Sequence, residues 1–160
     1  MRIGIVAVGR MKLGPERELV SRYLDRAIGT GKKLGLTGFE IAELSESRAA
    51  SATSRKAEEA KAIAVAMPAG AAIVALDERG KSLSSEAFAD QIAHWRDAGK
   101  SALSLVIGGA DGLDPDLISS ASLTLSFSPL TWPHQLVRIM LAEQLYRVTT
   151  ILSGHPYHRA

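Results

Sequence analysis

The chain has 160 residues, no cysteine and a formal net charge of +2. This length suits one domain with its own core, so we expect residues 1–160 to form a single domain. The lack of cysteine excludes disulfides, thiol catalysis and thiolate-bound metal clusters. No apolar run approaches the ~20 residues of a membrane span, and the first one is too short for a signal peptide. We therefore expect a cytoplasmic protein without membrane association.

Apolar, β-rich runs alternate with helical patterns along the chain. The predicted strands cover residues 2–8, 39–44, 71–76, 103–107 and 123–127. The predicted helices cover residues 15–28, 53–66, 84–98, a short segment after Asp114, and 133–152. Glycines 29 and 31 are expected to end the first helix, and Gly154 the last. This alternation predicts an α/β fold, a mostly parallel sheet with helices on both faces.

Three segments follow predicted strands and are candidates for a binding site: residues 76–80, 108–112 and 126–132. In such sheets, ligands bind outside the carboxyl ends of the strands. If the three strands are neighbours, we expect these segments to meet at one pocket. The acidic residues Asp77, Glu78 and Asp111 are interpreted here as turn-forming residues.

The segment IGGADG lies between a predicted strand and a predicted helix. Its glycines permit close approach of a ligand to the backbone, although a plain tight turn explains them equally well. It is neither a GxGxxG fingerprint nor a phosphate loop with Gly-Lys-Ser/Thr. A standard dinucleotide or Walker-type site is therefore disfavoured.

The segment SFSPLTW is fixed by Pro129 and Pro133 and carries the hydroxyls of Ser126, Ser128 and Thr131. Such a loop is able to hold a flat heterocycle through main-chain groups, with apolar side chains around it. An ordinary strand-to-helix connection is the alternative.

Arg138 is the only Lys, Arg, Asp or Glu between residues 117 and 142. In a helix it shares a face with His134, and that face continues as apolar residues. A buried guanidinium needs an ion-pair partner or a ligand. Both explanations stay open on the sequence alone.

The closing segment GHPYHRA places His155, Tyr157, His158 and Arg159 together. An aromatic ring beside basic groups suits base stacking and phosphate contact, and a tail without function is the alternative. A metal site is disfavoured, because Pro156 separates the histidines and no carboxylate lies nearby.

The first 33 residues hold an excess of basic side chains, with eight Lys or Arg against three acidic residues. This excess favours a polyanionic partner such as nucleic acid. A solvated helix face is the alternative.

Several motifs resemble one known family over nearly the whole chain. They are V-A-V-G near the start, L-D-x-x-G-K-x-L-S-S-E, V-I-G-G-x-x-G-L, L-S-F-S-x-L-T-x-P-H-Q-L-V-R-x-x-L-x-E-Q-L-Y-R and the closing H-P-Y-H-R. In order and spacing these resemble the RlmH family, bacterial ribosomal RNA methyltransferases of the SPOUT class.

The resemblance implies a C-terminal trefoil knot, a homodimer and S-adenosylmethionine as the methyl donor. The implied substrate is a pseudouridine in helix 69 of 23S ribosomal RNA, methylated at ring N3 in assembled ribosomes, without a metal. The donor-binding positions it implies are Leu76, Gly108, Phe127, Ser128, Pro129, Leu130, Thr131 and Trp132.

The resemblance also suggests catalytic roles. Arg138 is expected to polarise or orient the uracil-like ring or a nearby phosphate. Tyr157, His158 and Arg159 are expected to close over donor and substrate, from either subunit. Either His134 or His158 is expected to take the N3 proton, and the sequence does not choose between them.

Two other functions compete with this one. One is a small nucleotide-phosphate hydrolase that uses Asp77 and the GGADG loop, and it would need a metal and more clustered carboxylates. The other is an RNA-binding or ribosome-associated dimer that keeps the fold but has lost the donor. Binding of S-adenosylmethionine separates methyl transfer from both.

Overall fold

The computed structural model describes residues 1–158 and forms five strands and five α-helices. In chain order these are β1 (Arg2–Val8), α1 (Pro15–Gly31), β2 (Thr37–Leu44), α2 (Ala52–Ala66), β3 (Ala72–Lys81), α3 (Ser85–Asp97), β4 (Ala102–Ile107), α4 (Pro115–Ser120), β5 (Leu123–Leu125) and α5 (His134–Ser153). A short 3₁₀ turn, Lys32–Leu34, follows α1.

The strands form one sheet in the order β2-β1-β4-β3-β5, and every pairing is parallel. Alternate residues of β1 enter two separate apolar cores, as the two-residue period of a strand requires. Ile3 and Ile5 pack with α1, α3 and α5 on one face, whereas Val6 and Val8 pack with α2 and α4 on the other. The predicted α/β fold with helices on both faces is confirmed.

The helix starts follow the capping residues in the sequence. Ser51, Ser84 and Asp114 each accept a hydrogen bond from a backbone N–H of the first turn of α2, α3 and α4. Such caps satisfy donors that a helix start otherwise leaves unpaired. Helix α5 ends at Gly154, whose φ of 67° is left-handed. The predicted ends at Ser84, Asp114 and Gly154 are confirmed.

Several predicted boundaries differ from the structure. Helix α1 ends at Gly31, one of the two glycines expected to end it, but it includes residues 29–31, which were predicted to lie outside it. The absent side chain at Gly31 admits Phe39, since an added Cβ would lie 2.8 Å from that ring. The chain leaves the helical path only after Gly35, at φ 71°. Strand β3 runs on to residue 81, and β5 stops at Leu125 instead of residue 127.

The two strand differences have one cause, because the end of β3 packs against the end of β5. Lys81 pairs with Leu125, and the Ser126 amide donates to the Lys81 carbonyl over 2.9 Å. A Cβ on Gly80 would lie 2.7 Å from the Thr124 backbone, so only glycine fits this contact. The trefoil knot expected in this region stays a prediction.

Candidate active site

A cavity of about 360 Å³ lies at the carboxyl ends of β3, β4 and β5. These strands are neighbours in the sheet, so the segments that follow them meet there, as predicted. Its lining comprises Leu76, Asp77, Glu78, Arg79, Ile107, Gly108, Gly109, Ala110, Asp111, Gly112, Leu125, Phe127, Ser128, Leu130, Thr131, Trp132, His134 and Val137. Seven of the eight predicted donor-binding positions are among these residues, and only Pro129 is not.

One wall of this cavity is the glycine loop, residues 108–112. The Gly112 amide donates to the Gly109 carbonyl over 3.0 Å, which folds the loop back on itself. A Cβ on Gly108 would lie 2.8 Å from the Gly112 carbonyl carbon and 2.9 Å from the Leu113 nitrogen. Gly112 itself has a left-handed φ of 81°. The wall is therefore made of backbone and leaves no room for a side chain at Gly108.

The opposite wall is the segment between β5 and α5. The Ser126 hydroxyl lies 3.0 Å from the carbonyl oxygens of both Glu78 and Ser128. The Leu130 amide donates to the Ser128 hydroxyl over 3.0 Å. Two large apolar residues stay open to solvent at the cavity mouth, Leu130 at 67% and Trp132 at 38% exposure. This wall thus combines ordered main chain with free apolar surface.

Charged residues form the rim above β3. Arg79 donates to both carboxylate oxygens of Asp77, over 2.9 and 3.0 Å, and this pairing lowers the pKa of Asp77. The Thr131 hydroxyl donates to Glu78 over 3.2 Å and joins this rim to the wall formed by the segment between β5 and α5. Asp77, Glu78 and Arg79 all belong to the segment 76–80 that was predicted to lie at the binding site, and all three line the cavity. Asp77 and Glu78 were interpreted as turn-forming residues, and no separate role was predicted for Arg79.

Arg138 lies inside the protein, with 2% of its surface exposed. Its guanidinium donates to Glu43 over 2.9 Å and to the carbonyls of Val8 and Gly9 over 2.8 and 2.7 Å. Its Nε is buried and has no hydrogen-bond partner within residues 1–158. Burial lowers the pKa of Arg138, and the Glu43 carboxylate opposes that shift. The structure thus shows the pairing explanation; Arg138 does not line the cavity, and contact with a substrate stays a prediction.

The other predicted catalytic residues divide into two places. His134, the first residue of α5, lines the cavity with the donor positions. Tyr157 instead donates to Glu143 over 3.1 Å, and His158 lies 2.7 Å from Glu86. Within one chain, Tyr157 and His158 therefore lie against α5 and α3, and neither of these two residues lines the cavity. Arg159 falls outside the described residues.

The tail contacts form one network around Glu143. Arg147 donates to this carboxylate over 2.5 and 3.0 Å, and its guanidinium lies 5.0 Å from the centre of the Tyr157 ring. Burial and the Glu143 carboxylate raise the pKa of Tyr157 to about 12. Beside the network, a second cavity of about 350 Å³ opens between α1, α3 and α5, and Phe127 borders both cavities.

The described residues 1–158 contain no group of three or more His, Asp or Glu side chains placed to hold a metal ion. In the same range, every helix is too short or too polar to cross a bilayer.

A family model described as predicted SPOUT methyltransferase matches residues 1–158. The match defines the class of protein to which this fold and cavity belong. A solved structure of a probable methyltransferase from Bordetella pertussis Tohama I has a TM-score of 0.50 at 16% identity. It covers 92% of this chain and 95% of that one, and it supports the fold alone.

Two similar proteins indicate which family within the SPOUT class this chain belongs to. The chain is 58% identical to a protein of Rhodopseudomonas palustris strain HaA2 and 59% identical to one of Sinorhizobium medicae strain WSM419. Both matches cover 100% of each chain, and both relatives are named ribosomal RNA large subunit methyltransferase H. The chain belongs to the RlmH family of SPOUT methyltransferases, as its motifs predicted.

Proposed function

We propose that this protein uses S-adenosylmethionine to methylate N3 of a pseudouridine in helix 69 of 23S ribosomal RNA, on assembled ribosomes in the cytoplasm. One observation carries the proposal: seven of the eight expected donor positions line one cavity at the carboxyl edge of the sheet. Family membership supports the donor, since SPOUT methyltransferases use S-adenosylmethionine in general. The names of the relatives support ribosomal RNA as the substrate.

The cavity suits a small molecule with a flat ring, such as S-adenosylmethionine. Its volume of about 360 Å³ falls in the ~300–1,000 Å³ range of small-molecule sites. The backbone of the glycine loop accepts close approach by a flat ring, and Leu130 and Trp132 offer apolar contacts to the same ring. When bound, S-adenosylmethionine supplies an electrophilic methyl group that a ring nitrogen attacks in line.

The pseudouridine N3–H must lose its proton at or before methyl transfer. His134 supports this step, because it is the histidine of residues 1–158 that lines the cavity. His158 is held by Glu86 in the same chain and would act only after leaving it or from a second subunit. We therefore propose His134 as the base that accepts the N3 proton. Arg138 fixes the first turn of α5, which carries His134, through Glu43 and the carbonyls of β1.

A homodimer completes this proposal. Leu130 and Trp132 at the cavity expose 67% and 38% of their surfaces, and Leu136 in the first turn of α5 exposes 41%. A second copy would cover this apolar surface. In that dimer, Tyr157, His158 and Arg159 of one subunit close over the donor and substrate of the other. The expected knot would form part of this interface.

Calorimetric titration with S-adenosylmethionine tests the donor. We expect binding in the micromolar range to the wild-type protein and none to Gly108→Trp, whose side chain would enter the glycine loop. Both competing functions predict no binding to the wild type. Incubation with ribosomes and labelled donor, followed by mass mapping of the RNA, then tests the nucleotide. Label at a position outside helix 69 would contradict the substrate.

The basic N-terminal region is the proposed contact to the ribosome. Arg22 and Arg26 are exposed on α1. We expect Arg22→Glu to weaken ribosome binding and to reduce the slope of log affinity against log salt by about 1, as loss of one phosphate contact does. Lys61→Glu, an equal reversal on exposed α2, is the matched control. Equal effects of the two reversals would contradict a specific role for α1.

A further inference from the structure

Helix α2 lies behind the cavity wall and joins it through one ion pair. The Arg55 guanidinium donates to both oxygens of Asp111, from Nε over 2.6 Å and from Nη2 over 3.0 Å. This two-bond arrangement is the strongest geometry for an arginine and a carboxylate. Asp111 belongs to the glycine loop and lines the cavity, whereas Arg55 does not line it. Arg55 therefore acts on the cavity only through Asp111.

The remaining nitrogen of Arg55 joins a second segment. Nη1 donates to the Ala49 carbonyl over 3.0 Å, in the connection between β2 and α2. One guanidinium thus links the glycine loop to residues 45–51, which border the outer edge of the sheet. Lysine has no flat fork of donors and is unable to make both links with this geometry.

One turn further along α2, Glu59 supports the same loop. Its carboxylate is buried, and one of its oxygens would lie 3.0 Å from a Cβ on Gly109. The other oxygen accepts the Ser47 amide over 3.0 Å. Helix α2 therefore reaches the glycine loop through Arg55 and Glu59, and it contacts the 45–51 connection through several side chains that include Arg55, Glu58 and Glu59.

We propose that Arg55 is a positioning residue for the donor cavity: it holds the glycine loop, residues 108–112, in its binding shape and ties that loop to residues 45–51. This inference rests on the proposed binding of S-adenosylmethionine in the cavity. Without the ion pair, the loop samples more conformations, and the donor must order it on binding. The pKa of Asp111 is lowered, mainly by its hydrogen bonds to Arg55, so the pair persists at neutral pH.

The chain offers a matched control on the far side of the molecule. Arg96 donates to both oxygens of Asp97, over 2.7 and 3.1 Å, and to the Leu34 carbonyl over 3.1 Å. Its side chain is 25% exposed, against 30% for Arg55. Arg96→Ala therefore removes bonds of the same kind from an arginine of similar exposure, although Asp97 is 65% exposed against 27% for Asp111, and it leaves the cavity untouched.

The test measures donor affinity, turnover and local order in Arg55→Ala, Arg55→Lys and Arg96→Ala. For Arg55→Ala we expect the Kd and KM of S-adenosylmethionine to rise about five- to tenfold, with kcat within about twofold, as loss of one well-formed pair implies. Arg55→Lys should recover little of the affinity. In the donor-free protein, amide exchange of residues 108–113 should be faster in Arg55→Ala and Arg55→Lys than in the wild type. Arg96→Ala should match the wild type in donor affinity, turnover and amide exchange.

The reversed pair is a further check. Arg55→Asp combined with Asp111→Arg should bind the donor more tightly than either single reversal, because the charges face each other again. Unchanged donor affinity and unchanged amide exchange in Arg55→Ala would overturn the inference, as would tighter donor binding. Failure of the wild type to bind the donor would contradict the proposed function instead, and amide exchange would still decide whether Arg55 orders the loop.

Discussion

The start and the second half of helix α5 border regions that are built differently. At its first turn, the cavity wall consists of backbone at Gly108 and Gly112 and of ordered main chain after β5. From the middle of the helix onward, the carboxylate of Glu143 binds Arg147 and Tyr157 in a network of side chains. The first region depends on the absence of side chains, and the second depends on their charges. Each should therefore respond to a different kind of change.

Arg138 belongs to neither region, and its substitution should have the largest effect on the free energy of unfolding. We expect Arg138→Met to destabilise the protein by about 3 kcal/mol, because it removes the nearer of the two ion-pair partners of Glu43 and the donor to the Val8 and Gly9 carbonyls. Urea unfolding measures the loss. Glu43 keeps 21% of its side chain exposed, which places the value at the low end for buried pairs. Adding Glu43→Gln should restore part of the stability; a purely additive double variant would argue against the pair.

Adding a single methyl group to the glycine loop tests whether the cavity depends on the absence of a side chain there. Gly108→Ala places a Cβ against backbone atoms 2.8 to 3.0 Å away, so the loop must shift. We expect donor affinity to fall about 10- to 100-fold, equivalent to the ~1–3 kcal/mol that overpacking costs. Gly29→Ala in α1, where an added Cβ meets nothing within 4 Å, is the control for titration calorimetry. Equal affinity of the two variants would remove the distinction between the regions.

The network around Glu143 should respond to loss of charge, even where the substitution keeps the shape of the side chain. Glu143→Gln keeps the shape of the side chain and weakens its bonds to Arg147 and Tyr157. We expect a loss of about 1 kcal/mol in the free energy of unfolding, with unchanged donor affinity in the isolated protein. Glu40→Gln, whose partner Arg2 is 61% exposed, should cost almost nothing. A large fall in donor affinity on Glu143→Gln would show that the regions are coupled.

The titration of Tyr157 gives the smallest and most local signal. Its pKa of about 12, raised above the ordinary 10.0, means that the folded state favours the protonated hydroxyl. Its contribution to stability is therefore complete below about pH 10 and is lost as the pH rises from about 10 to about 12. Phenolate absorbance should show a late transition that Tyr157→Phe removes. A transition near pH 10 for all tyrosines would place this hydroxyl in solvent.

Local patterns predicted most of the secondary structure, and distant contacts account for the errors. Ser84, Asp114 and Gly154 mark helix ends through bonds within a few residues, so the sequence shows them. The end of α1 depends instead on the packing of Gly31 against Phe39. The length of β3 depends on pairing with β5, 44 residues away, which no local pattern contains.

The position of the candidate site was predictable from the sequence, but the ion pairs around it were not. Its position follows from the alternation of strands and helices, because the carboxyl ends of parallel strands share an edge. The pairing of Arg138 with Glu43 was not predictable, since the sequence indicates a buried charge but not which of many carboxylates meets it. The ion pair of Arg55 and Asp111 was missed for the same reason.

The contact between Arg138 and Glu43 also has a consequence for the time course of synthesis, because 95 residues separate its partners. Chains grow at about 5–20 residues per second during synthesis, so Glu43 precedes Arg138 by roughly 5–20 s. During that interval, the carbonyls of Val8 and Gly9 also lack the donors that finally meet them. The carboxyl end of β1 therefore gains these hydrogen bonds only after helix α5 has been synthesised.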